Sequence, residues 1–98
     1  MGEVGYMAYF AVFVTELDNS KKEQYFADHM KYLDDLRGQG TVIANGKFVD
    51  GTLGLILFRG ESQAEVEQIV SRSPFAVHGV REFKVHEWAA KWGQAIGA

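Results

Sequence analysis

Apolar positions recur along this chain with two different periods, and the switches between them mark out its elements. Met7 to Thr15, MAYFAVFVT, is aromatic and β-branched, which favours a strand. Its two alternating faces, Tyr9, Ala11, Phe13 and Phe10, Val12, Val14, are both apolar, so the strand is expected to be buried on both sides. After the polar stretch Glu16 to Asn19, the period changes. In Gln24 to Gly40, QYFADHMKYLDDLRGQG, a turn of about 100° per residue places Tyr25, His29, Leu33 and Leu36 on one face, with Phe26 and Met30 beside it. This predicts a first helix that runs to about Arg37, opened by a Ser20 and Glu23 capping box and stopped by Gly38 and Gly40. His29 then points inward.

Thr41 to Val49 and Leu53 to Arg59 again read as strands, and the Asp50-Gly51 between them is a hairpin signal that makes them antiparallel neighbours. Ser62 and Glu65 form a second capping box, followed to about Arg72 by a helix burying Val66, Ile69 and Val70. Pro74 marks its end, because the residue before a proline is pushed out of the helical region. Phe75 to Gly79 is then a loop. Val80 to Trp88 alternates as a half-buried last strand, and Ala89 to Ala98 is a tail that either adds a helical turn, setting Trp88 near Trp92, or frays.

The order β, α, β, β, α, β predicts an α+β fold, the ferredoxin-like split β-α-β arrangement. It is a four-stranded antiparallel sheet with two helices on one face. The helices cover that face and the chain has nothing left for the other. A second copy packed sheet to sheet would cover it, so a homodimer is expected. At 98 residues the chain is expected to be a single domain over 1–98, with a core at about 7–88 and a tail at 89–98.

Composition narrows the function classes. Thirteen carboxylates against ten Lys plus Arg give no basic field to draw phosphate backbones, so no nucleic acid partner is expected. The absence of cysteine excludes thiolate chemistry and cysteine-type zinc sites. Met7 to Val14 is too short for a membrane span, and the acidic lead-in Met1-Gly2-Glu3 lacks the basic start of a signal peptide. A cytoplasmic protein that binds no membrane is the expectation.

Among candidate chemical groups, His29 comes first, because an imidazole titrates nearest neutral pH and the helix aims it inward. It is read either as a general acid or base, or as a histidine at the core edge with a structural hydrogen bond. His78 and His86 complete the histidines, but the three fall on a helix, a loop and a strand, without the close pairing of a zinc site, so no metal is expected. His78 is a candidate pocket-lining donor, and His86 is expected at solvent or the dimer seam. Asn45-Gly46 lets backbone amides approach a ligand, or is simply a turn. No GxGxxG or Walker-type loop is present. Phe75 and other aromatics can line a pocket for a flat apolar ligand.

The pieces His29 with Leu33, Gly40, ANGKFVDG at Ala44 to Gly51, Glu61-Ser62, SPF at Ser73 to Phe75, Gly79 and HEW at His86 to Trp88 together resemble the YciI-like (YCII-related) family. That resemblance spans Met7 to Trp88 and implies a dimeric α+β barrel. Within the family, one branch resembles dehydrochlorinases of chlorinated hydroxyquinols, with a His-Asp pair as the proposed site. The His corresponds to His29, but Ser73 stands where the Asp would be. Serine carries no charge to stabilise an imidazolium. Two functions are therefore expected to compete. One is a cofactor-independent lyase, isomerase or dehydrochlorinase-type enzyme acting on a small organic molecule such as an aromatic or a lactone, with His29 and Ser73 as catalytic residues and Asn45, Gly46, Phe75 and His78 holding substrate. The other is a non-catalytic small-ligand-binding or regulatory module. A monooxygenase of the antibiotic-biosynthesis type would share the topology, but the SPF and HEW pieces point away from it.

Overall fold

The computed structural model describes residues 7–94, so the acidic lead-in and the last four residues of the tail lie outside the described residues. Four strands, β1 (Ala8–Glu16), β2 (Val42–Lys47), β3 (Gly54–Gly60) and β4 (Arg81–Trp88), form one sheet in the order β2-β3-β1-β4. Every neighbouring pair is antiparallel, which is the expected ferredoxin-like sheet. Helices α1 (Lys22–Gly38) and α2 (Gln63–Ser71) bury residues against it.

The two periods account for the core. Ala8, Phe10, Val12 and Val14 of β1 are buried together with Ile56 and Phe58 of β3, His29, Leu33 and Leu36 of α1 and Val66 and Val70 of α2. The register places Phe10 beside Phe58 and Val12 between Ile56 and Val85. Tyr32 Oη donates to the Ile69 carbonyl at 2.7 Å, tying the two helices together. At the end of β3, a Cβ on Gly60 would stand 2.9 Å from Glu65 Oε1 and 3.0 Å from Val66 Cγ2, so the missing side chain lets α2 close on the strand. The opposite face of the sheet carries Tyr9, Ala11 and Phe13 with Leu55 and Leu57, and these are only half-buried in the single chain. Trp92 reaches back over one end of it, edge-on to Tyr9 at 5.0 Å and to Trp88 at 5.8 Å.

Local starts and stops differ from the expectation in three places. The Ser20 and Glu23 capping box does not form: Asp18 accepts from the Ser20 amide at 2.9 Å and opens a short 3-10 turn, Asn19–Lys21, that runs into α1. The second box forms with a shift, as Ser62 Oγ accepts from the Glu65 amide at 3.1 Å while the Glu65 carboxylate accepts from Glu61 rather than Ser62. Phe75 to Gly79 is not all loop. Ser73 caps a four-residue helix, α3 (Pro74–Val77), in which Pro74 sits at the start, where a missing N–H costs nothing. The Asp50-Gly51 turn forms as expected, with Gly51 at φ +80° and the Gly51 amide donating to the Phe48 carbonyl at 2.8 Å. In β2 the register against β3 shifts between Val42 and Ala44, a bulge at Ile43. The tail forms no helical turn through Gly93, although Trp88 and Trp92 do meet.

Candidate functional site

Between α1 and the β2 end of the sheet lies a cleft of about 300 Å3. Val14, Phe26, Met30, Leu33, Ile56 and Phe83 make apolar walls, and His29, Asn45, Lys47 and Arg81 are its polar groups. Asn45 and Lys47 sit opposite Ile56 and Gly54, on the helix-covered side of the sheet. The Asn45 side-chain oxygen accepts from Arg37, which also pairs with Asp34, so the end of α1 is latched to β2 beside the cleft. Arg81 opens β4 directly opposite Glu16, whose carboxylate lies 3.5 Å from Arg81 and 3.8 Å from Lys22.

His29 is only 1% exposed, yet its ring lines this cleft. It stacks on Phe75 with centroids 4.1 Å apart and planes 9° from parallel. The same Phe75 ring carries the Arg81 guanidinium at 4.8 Å from its centroid, a cation–π contact. His29 Nδ1 is buried without a hydrogen-bond partner. Burial, reinforced by the positive charge of Arg81, pushes the imidazole down from 6.5 to about 4. At neutral pH the ring is therefore uncharged, a proton acceptor with an unused nitrogen.

The residues singled out from the sequence divide into three groups. His29, Asn45 and Gly46 meet in the cleft. Phe75 and Ser73 lie behind it: Phe75 is the buried platform for the imidazole, and Ser73 Oγ accepts from the Ala76 amide at 3.3 Å as the cap of α3. His78 lies outside the cleft lining, stacked on Tyr25 at 3.6 Å. His86 faces the uncovered side of the sheet, edge-on to Phe13 at 5.8 Å. Among the described residues, no Asp or Glu lines the cleft, and no group of three or more His, Cys, Asp or Glu side chains could hold a metal ion. No helix there is long and apolar enough to cross a membrane.

Lys47 and Arg81 are the site residues that sequence reasoning did not single out. For Arg81 a signal existed, since its alternation with Phe83 and Val85 puts it on their face. For Lys47 the bulge hides the facing.

Comparison with known proteins agrees with this architecture. A solved structure of a 5-chloro-2-hydroxyhydroquinone dehydrochlorinase, TftG, from Burkholderia phenoliruptrix AC1100, in complex with 2,5-dihydroxybenzoquinone, superposes with a TM-score of 0.65 at 19% identity, covering 84% of this chain and 95% of that one. A candidate antibiotic biosynthesis monooxygenase from Nitrosomonas europaea superposes with a TM-score of 0.52 at 10% identity, over 95% of this chain and 100% of its own. At these identities the likeness is one of fold, the dimeric α+β barrel class. In sequence, the uncharacterized protein YjpA of Bacillus subtilis (strain 168) is 28% identical over 69 residues, or 70% of this chain and 81% of the relative. The family model described as the YCII-related domain matches residues 7–89. With the model matching nearly all of the described residues, the chain belongs to the YCII-related family.

Proposed function

We propose that the cleft binds a small organic molecule and that His29 moves a proton on it, without a cofactor, in an elimination or isomerisation. The observation that carries this reading is the neutral imidazole: buried, held off protonation, lacking a partner for Nδ1, and still lining an open cleft. In an elimination, the ring takes a proton from carbon, the C–H electron pair forms a new double bond, and the leaving group departs with its own pair. The imidazolium then passes its proton to water. An isomerisation differs only in returning the proton to another atom of the substrate. Fold likeness to a dehydrochlorinase makes the first of these the natural one to test.

Replacing His29 by Gln tests the role, with wild type and variant compared on a panel of chlorinated hydroxyquinols and small lactones. Loss of a general base is expected to lower kcat by roughly 10²- to 10⁴-fold. Equal turnover by the two proteins would remove His29 from the chemistry. A second reading, a non-catalytic binding module, is favoured by one specific observation: Ser73 caps α3 and, among the described residues, no carboxylate lines the cleft to supply the charge partner of a His-Asp pair. Binding of panel members without turnover in wild type would select it.

The same proposal includes a second copy of the chain over the uncovered sheet face, motivated by its half-buried row of Tyr9, Phe13, Leu55 and Leu57. Such an interface is expected to bury more than ~1,200 Å2 in total. Leu57→Asp, which puts a charge in the middle of that row, is expected to shift sedimentation from twice the 11.0 kDa chain mass to the single chain. Wild-type protein that sediments at 11.0 kDa at micromolar concentration would end the dimer proposal.

A further inference from the structure

The cleft does not end at its apolar chamber. A second, smaller recess of about 50 Å3 adjoins it, and the two share Val14, Lys47, Gly54 and Arg81 in their linings. The two cations thus stand where the recess meets the chamber. The character of the walls changes there: Phe26, Ile56 and Phe83 belong to the chamber alone, whereas Thr15, Glu16 and Thr52 belong to the recess alone.

The charge balance at this junction is unequal. Among the described residues, Glu16 is the only carboxylate in either lining, and it lies within reach of Arg81 at 3.5 Å and of Lys22 at 3.8 Å. Counting the ionised groups that line the junction, Lys47 and Arg81 against Glu16 leave one net positive charge. Arg81 is also 12% exposed along its side chain, so its charge is shielded little by water and acts strongly on anything seated beside it. An anion there would relieve this surplus.

We infer that the natural ligand of the cleft is an amphipathic monocarboxylate whose anionic head sits between Lys47 and Arg81, with an apolar body of about one ring in the chamber against His29. The net charge fits a single negative charge, and the small recess fits a planar carboxylate better than a bulkier, doubly charged phosphate ester. A guanidinium is suited to such a head, because its donors match the two carboxylate oxygens. The orientation that follows puts the ring of the ligand next to His29 and the head beside the cation that adds to burial in keeping His29 uncharged. A bound carboxylate therefore offsets Arg81 and returns basicity to the imidazole.

This inference rests on the cleft being a ligand site, and the experiment separates the two claims. Wild-type protein labelled with 15N is titrated with benzoate, phenylacetate and 2-furoate, each beside its neutral carboxamide. The amides of Asn45, Lys47 and Gly54 and the ring signals of His29 are followed by NMR. The carboxylates are expected to move these signals and to bind about tenfold or more tightly than their carboxamides, a preference that corresponds to one well-placed charge contact. They are also expected to raise the His29 pKa, which the carboxamides leave unchanged. Arg81→Gln is expected to erase the preference while retaining carboxamide binding. Because Arg81 also contacts Phe75 and Glu16, Lys47→Gln serves as the variant that leaves those contacts in place, and it is expected to reduce the preference in the same direction. Equal binding of acids and amides would overturn the carboxylate inference and leave the ligand site standing. No movement of the cleft signals with any member of the panel would overturn both.

Discussion

Val12→Asp is expected to leave a chain without a cooperative thermal transition. Val12 has no exposed surface and lies between Ile56 and Val85 in the sheet, under the helices. Among the described residues the cluster around it holds no cation, and its one hydroxyl, Tyr32, already donates to the Ile69 carbonyl; burying a carboxylate there costs several kcal/mol, or forces it to take up a proton. The whole stability of a small domain is about 5–15 kcal/mol. Loss of the valine contacts adds to the deficit. Leu57→Asp provides the contrast, because its position on the half-buried opposite face lets the charge reach water in a single chain. Thermal melts followed by circular dichroism, with wild-type behaviour for Val12→Asp, would show that this face of β1 does not meet the helices.

Acid is expected to unfold the protein through His29. With the folded imidazole at about 4 and the free one near 6.5, the unfolded chain binds more protons between these two values. Stability is therefore complete above about pH 6.5 and is lost as pH falls toward 4, by an amount on the order of 3 kcal/mol. His29→Leu removes both the titration and the unpartnered Nδ1, so the variant is expected to be at least as stable as wild type at pH 7 and clearly more stable at pH 4.5. Asp18 and Asp50, held low by hydrogen bonds from Ser20 and Thr52, lose their own contributions only at still lower pH, and they do so in both proteins. Urea unfolding at pH 7, 5.5 and 4.5 isolates the difference. Parallel losses in the two proteins would mean that His29 is not the group being protonated.

What could be read from the sequence followed from period. The alternation in Met7 to Thr15 and the helical spacing around His29 were enough to give the element order, the sheet and the inward imidazole, because a period tests many residues at once. Asp50-Gly51 marked its turn because a left-handed residue needs glycine, and Gly51 takes that conformation. The short elements were not legible. Ser73-Pro74 reads as the end of one helix, yet it is also the signature of a start, a hydroxyl cap followed by a proline at the first position, and four residues carry no period to decide between them. Asp18 displaced Ser20 as the opening cap because one turn of 3-10 helix precedes α1. His78 left the site for the same reason that α3 exists, since the helical turn carries it onto Tyr25.

The bulge at Ile43 has a consequence for how such a cleft changes its chemistry. Strand side chains alternate, so a strand that begins with Val42 facing the helices would ordinarily send Ala44 and Gly46 the same way. One extra residue reverses the count, and from there onward Asn45 and Lys47 face inward while Ala44 joins Leu57 on the other side. The polar lip of the cleft is thus set by the bulged pairing as much as by residue identity. A descendant in which Ile43 paired as a regular strand residue instead of bulging would exchange an amide and a cation for a methyl group and a bare backbone, without one substitution in the strand that follows.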